Sequence, residues 1–162
     1  MATKTGYVSG SDLLIKLAGY CIGHCSTHTL TFNTETKERN VKPVVTKALS
    51  SSKWKNKGVS SQSISLSAEG IQYYGETEAA KAAILTAYDN AESITLEAFE
   101  REDDATPYLV GAFIITKFEE TAPANDDATF SIEAENDGEP DTFDPSVITS
   151  SSTEQTEGNT SE

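Results

Sequence analysis

A two-residue rhythm runs through most of the chain between residues 13 and 134, and it constrains the fold more than any other feature. From Thr27 to Asn33, His28, Leu30 and Phe32 fall on one side and Thr27, Thr29 and Thr31 on the other. Ile64, Leu66 and Ala68 alternate in the same way with Ser63, Ser65 and Ser67. Ile94, Leu96 and Ala98 alternate with Thr95 and Glu97, and Ala128, Phe130, Ile132 and Ala134 with Thr129, Ser131 and Glu133. Successive side chains of a strand point to opposite faces, so each stretch predicts a strand with one buried and one wet face. Leu13, Leu14, Ile15 and Leu17 predict a further short strand ending at Ala18-Gly19. Tyr108–Phe118 is apolar on both faces, with Leu109, Phe113 and Ile115 opposite Val110, Ile114 and Phe118. Such a strand is central, or turns one face to another subunit.

One segment breaks the rhythm. Between about 76 and 89, Ala80, Ala83, Ile84, Ala87 and Tyr88 recur at helical spacing. Ala79, Ala82 and Leu85 are strong helix formers, and Glu76 and Glu78 sit where the helix dipole favours acid. The expected fold is mainly β: a two-sheet β-sandwich or barrel with one flanking α-helix. Residues 1–10 are expected to form a flexible arm, 11–140 the β-domain, and 141–162 a disordered Ser/Thr/Glu-rich tail. Residues 34–61 carry charges, serines, Pro43 and Gly58, and are expected to form one long loop. Loops of that length in compact domains are usually functional or disordered.

Charge narrows the function classes. With 12 basic against 26 acidic residues, the formal net charge is −14. That surface repels phosphate and disfavours binding of nucleic acid by counterion release. The charge is also segregated. Lys37, Arg39, Lys42, Lys47, Lys53, Lys55 and Lys57 crowd one stretch, whereas no basic residue follows Lys117. A basic segment and an acidic end on one small chain suggest attraction between copies. No positive n-region with an apolar run opens the chain, and no apolar stretch approaches the roughly 18 residues of a membrane span. Two cysteines are too few for a disulfide framework, so synthesis in a cytoplasm is expected.

Cys21-Ile22-Gly23-His24-Cys25-Ser26-Thr27-His28 gathers two thiols and two imidazoles. In an extended strand Cys21 and Cys25 share one face and His24 and His28 the other, so the four do not converge on one zinc ion. A Cys25–His24 nucleophile pair meets the same difficulty, because neighbours in a strand point apart. Asp126-Asp127 and Asn136-Asp137-Gly138-Glu139 supply oxygen ligands but lack EF-hand spacing, and solvated turns account for them. No phosphate loop, nucleophile elbow or HExxH motif occurs. The expectation is no catalytic residue, no metal and no cofactor.

The wet strand faces are rich in small hydroxyls: Thr27, Thr29, Thr31, Ser63, Ser65, Ser67, Thr129 and Ser131, with carboxylates at Glu97 and Glu133. Threonine favours strands in any wet sheet. Serine does not, so its repetition at alternate positions carries some information. A sheet curled round a polyanion would want such a lining, hydrated and without lysine or arginine to hold phosphates.

Several stretches resemble the major tail proteins of long-tailed bacteriophages, the family typified by lactococcal siphophages. They are Ser11-Asp12-Leu13-Leu14-Ile15-Lys16, Ile22–Leu30 with Thr34–Glu38, Lys53-Trp54-Lys55, Ser65–Gly70 and Ala122–Ser131, in that order. The resemblance implies two packed β-sheets with a flanking helix, and hexameric rings whose sheets join into one inner barrel. It implies stacking by a long loop, here Thr34–Ser61, with Lys37, Arg39, Lys42, Lys47, Lys53, Trp54, Lys55 and Lys57 meeting the next ring. The partners it implies are other copies of the chain, the tail terminator, distal tail and tape-measure proteins, and genomic DNA that passes through without specific binding. The location implied is the virion tail tube. The other readings are a β-sandwich adhesin or carbohydrate-binding module, the tube of a contractile injection system, and a metal or thiol enzyme built on Cys21–His28.

Overall fold

The computed structural model describes residues 7–22, 24–39, 57–73, 78–101 and 106–146. Ser9 caps a 3-10 turn at Gly10–Asp12. Strands β1 (Leu13–Leu17) and β2 (Tyr20–Cys21) then form a hairpin in which Leu17 opposes Tyr20. Both turn residues, Ala18 and Gly19, have positive φ, as a two-residue hairpin with the twist of its strands requires. Strands β3 (Cys25–Glu38) and β4 (Lys57–Ile71) follow, then helix α1 (Glu78–Asn90) and strands β5 (Ile94–Glu100), β6 (Leu109–Thr121), β7 (Thr129–Asn136) and β8 (Thr142–Phe143).

The strands make one antiparallel sheet in the order β2-β1-β5-β6-β7-β4-β3, with β8 pairing β6 beside this path. The expected mainly β fold with one helix is present, and its strands join in one continuous hydrogen-bonded ladder. Strand β6 belongs to two wings. Its first half, Leu109–Phe113, pairs with β5, and its second half, Phe113–Thr121, with β7. Ile15, Leu17, Leu96 and Ala98 of one wing and Leu66, Ile132 and Ala134 of the other join Phe113 in a single buried cluster. At about 25 cal/mol per Å² of apolar surface, burying such side chains is the main favourable term for the fold.

Between Ile115 and Lys117 the β6–β7 register slips by one residue, leaving Thr116 as an extra, bulged residue. Simple alternation puts Phe118 on the face of Val110 and Ile114. The bulge reverses this, because one inserted residue exchanges the two faces of everything beyond it. Phe118 instead opposes Ile132 and packs on the core, and Lys117 opposes Glu133 on the wet face.

The loop expected over 34–61 is shorter than its composition suggests. Thr34–Glu38 continue β3, and Lys57–Ser61 already belong to β4. Thr and Val favour strands, and every residue from Thr34 to Glu38 has a partner on β4, with a bulge between Glu35 and Thr36. Residues 40–56 lie outside the described residues. Strand β7 accompanies β4 only from Ser65 onward, so Phe32–Glu38 and Lys57–Ile64 extend beyond it as a two-stranded ribbon. Where the ladder ends, the Asn136 side chain substitutes for a strand: its Oδ1 accepts from Ile64 N at 2.8 Å, and its Nδ2 donates to Gly138 O at 2.6 Å.

Helix α1 buries Ala80 and Ile84, while Tyr88, expected on the same face, is exposed. The helix ends in a left-handed residue, Ala91, with Glu92 N bonding Ala87 O and Ala91 N bonding Tyr88 O. This Schellman pattern satisfies carbonyls that would otherwise lack partners. Lys81 ties the helix to the sheet, because its Nζ meets Glu120, which also accepts from Gln72 Nε2 at 2.9 Å. Among the described residues no helix is long and apolar enough to cross a membrane. The tail expected from residue 141 contributes β8, and residues 147–162 lie outside the described residues.

Candidate functional site

The hydroxyl and carboxylate residues singled out from sequence fall into rows that cross four strands. Thr29 opposes Ser67, Ser67 opposes Glu133, and Glu133 opposes Lys117. The next row runs Thr27, Glu69, Ser131, Glu119, and the one on the other side Thr31, Ser65, Glu135, Ile114. Ser63 extends the face onto the ribbon opposite Asn33, and Thr129 closes it at the other end opposite Ile71 and Thr121. Directly opposed residues share a face, so nine of the ten expected positions form one surface. Most of these residues are exposed, and Ser65 and Ser131 are half-buried. Glu97 lies on the other wing, opposite Lys16 and Val110.

The face is acidic, and its cation is held. Lys117 Nζ lies 2.8 Å from Glu119 Oε2 and 3.9 Å from Glu133 Oε1. The hydrogen bond to Glu119, then its charge and that of Glu133, keep the Lys117 ammonium above the ordinary lysine range. The same contact holds the Glu119 carboxyl below the usual carboxylate range. On the ribbon, Ser61 Oγ donates to Glu35 Oε2 at 2.7 Å.

Sequence reasoning missed Glu69, Glu119, Glu135 and Lys117 as members of this face. For Glu69 and Glu135 the signal was present, since each continues an alternation by one step. Lys117 and Glu119 lie beyond the Thr116 bulge, where counting by twos gives the wrong side.

Three of the eight expected stacking residues are described. Lys37 and Lys57 are exposed near the far end of the ribbon, and Arg39 lies so close over Gly58 that an added Cβ would stand 2.6 Å from its Nε. Lys42, Lys47, Lys53, Trp54 and Lys55 lie outside the described residues. At the ribbon's root Phe32 meets Phe143 with ring centroids 5.6 Å apart, both rings about half exposed.

The cysteine–histidine segment does not fold as one strand. Cys21 ends β2, His24 has positive φ, and Cys25 opens β3. His24 stacks on Tyr73 at 4.5 Å, and Cys25 Sγ donates to Thr27 O at 3.2 Å. Burial pushes the Cys25 thiol up and the His28 imidazole down. Gly70 allows the close packing here, because a Cβ would stand 2.6 Å from His24 O and 2.7 Å from the Phe130 ring. Among the described residues no three His, Cys, Asp or Glu side chains are grouped as metal ligands.

Comparison with known proteins bears on these surfaces. A family model described as phage tail tube protein matches residues 8–142. No curated protein matches the sequence. Among solved structures, a chain from the virion of a native gene transfer agent particle superposes with a TM-score of 0.63 at 21% identity, covering 85% of this chain and 98% of that one. A chain from the tail of an empty gene transfer agent particle, refined with C6 symmetry, gives 0.63 at 22%, covering 85% and 99%. The SPP1 tail tube gives 0.57 at 16%, covering 92% and 88%.

Proposed function

The chain belongs to the phage tail tube protein family and is a non-enzymatic structural subunit of the virion tail tube, and from that premise we propose how its surfaces are used. Six copies close a ring, the polar face of β3, β4, β7 and β6 lines its lumen, and genomic DNA passes through without specific binding. The observation that carries this reading is the in-register row from Thr29 through Ser67 and Glu133 to Lys117. It makes one broad, hydrated, acidic surface out of four strands, while the opposite face is filled by the core. The C6 symmetry applied to the gene transfer agent tail supports six as the ring number. Closing a ring also covers the outer edge of β3, which an isolated subunit leaves open to uncontrolled pairing.

The ribbon and the basic segment it carries stack one ring on the next, with Lys37, Arg39, Lys42, Lys47, Lys53, Lys55 and Lys57 meeting acidic groups and Trp54 as an anchor. The two wings meeting at β6 correspond to the two packed sheets expected of a tail tube fold. The ordered motifs of the lactococcal siphophage type favour a flexible, non-contractile tail, whose ends would meet terminator, distal tail and tape-measure proteins.

Electron microscopy of the purified protein tests the scheme. Rings or tubes are expected, and a strict monomer at high concentration in every salt tried would overturn it. Reversing Lys53, Lys55 and Lys57 to glutamate is expected to leave a folded subunit that forms no long tubes. Tubes of normal length from that variant would remove the stacking role.

A further inference from the structure

The polar face has one feature that a DNA path would not be expected to contain. Among residues 27–33, 63–69, 117–121 and 129–135, which build the face outside the ribbon's far end, Lys117 is the sole lysine or arginine. The Thr116 bulge turns it outward, and its side chain is half exposed. Repeated once per subunit in every ring, an uncovered ammonium there would offer phosphates a contact at each step. Contacts of that kind add along a duplex and produce binding that depends steeply on salt.

Lys117 is not uncovered. Glu119 lies one position on along the same face of β6, and Glu133 directly opposite on β7, and both carboxylates reach the ammonium. Stability gives little reason for the arrangement, because exposed ion pairs contribute little to folding. We propose that Glu119 and Glu133 act as positioning residues that cover the Lys117 ammonium and keep the DNA path from holding phosphates. This inference rests on the reading of the polar face as the tube lumen. The lysine in turn relieves repulsion between Glu119 and Glu133, diagonal neighbours on adjacent strands.

The test uses assembled, open-ended tubes incubated with a short fluorescent DNA duplex and then pelleted. Wild-type tubes are expected to retain no duplex at 50 mM salt. E119Q/E133Q tubes should retain it at 50 mM and lose retention by at least about tenfold at 200 mM. Adding K117Q to the double variant should abolish retention. No retention by the double variant, or equal retention by the triple, overturns the proposal. A cryo-EM map of the same tubes separates the two levels. Residue 117 on the outer wall removes the lumen reading and the inference with it, whereas residue 117 in the lumen without retention removes the inference alone. Should the variants fail to assemble, NMR of isotopically methylated lysines in the free subunit applies. The Lys117 titration midpoint should fall on E119Q, and an unmoved midpoint overturns the cover.

Discussion

At the scale of single residues, the thiol and imidazole groups near the start of β3 are placed for packing. Cys25 is half-buried, its Sγ is engaged by Thr27 O, and burial disfavours its thiolate. The thiolate is the reactive species, so Cys25 is the slower of the two cysteines toward electrophiles. Iodoacetamide at pH 7.5, followed by peptide mass spectrometry, should modify exposed Cys21 several-fold faster than Cys25. The reverse order would mean that Cys25 is open to solvent and activated. His28, on the core-facing side of β3, is held toward its neutral form by burial.

At the scale of elements, β6 decides how the rest is arranged. It joins the two wings, and the Thr116 bulge sets which side chains its last five residues give to the core. Deleting Thr116 should remove the bulge and leave Lys117 opposite Glu133 and Phe118 opposite Ile132, each on its present face. Straightening β6 with all its residues kept would instead drive Lys117 into the apolar core, at a cost of several kcal/mol, a large share of a small domain's stability. The deletion variant is expected to keep a cooperative thermal transition by circular dichroism within about 5 °C of the parent, and loss of that transition would show that β6 needs the bulge itself and not only the faces it sets. The same element explains what was legible beforehand. Alternation around Leu30, Leu66, Leu96 and Ile132 gave the strands and their wet faces, because each has one buried side, and alanine-rich helical spacing gave α1. The extension of β3 and β4 through Thr34–Glu38 and Lys57–Ser61 was not legible, since exposed ribbon residues carry no inside–outside contrast. Lys117 and Glu119 were hidden for another reason: a bulge is fixed by pairing with β7, which neighbours in sequence do not report.

At the scale of the whole molecule, the subunit looks incomplete by itself. Phe32–Glu38 and Lys57–Ile64 form a two-stranded ribbon whose residues, Ile64 and half-buried Gly58 apart, are all exposed. Two strands alone are marginally stable in water, so such an extension gains order chiefly from contact with something else. Hydrogen exchange distinguishes the states. Backbone amides of Thr34–Glu38 and Val59–Gln62 should exchange fast in the free subunit and at least about tenfold more slowly in tubes, whereas Leu96 and Phe113 should be protected in both. Ribbon amides that exchange equally fast in tubes would mean that the ribbon takes no part in contacts between copies. The formal net charge of −14 acts against crowding copies together, so assembly depends on local pairing of opposite charges and on buried apolar contact.

The extra residue at Thr116 also affects how lineages of this chain can be compared. A relative that carries β6 without the bulge, set beside it position for position, would seem to have exchanged inside for outside over the last turn of the strand. Polar residues would stand against apolar ones for five positions, and the pair would look unrelated there although every side chain kept its place in space. One gap, placed at Thr116, restores the correspondence.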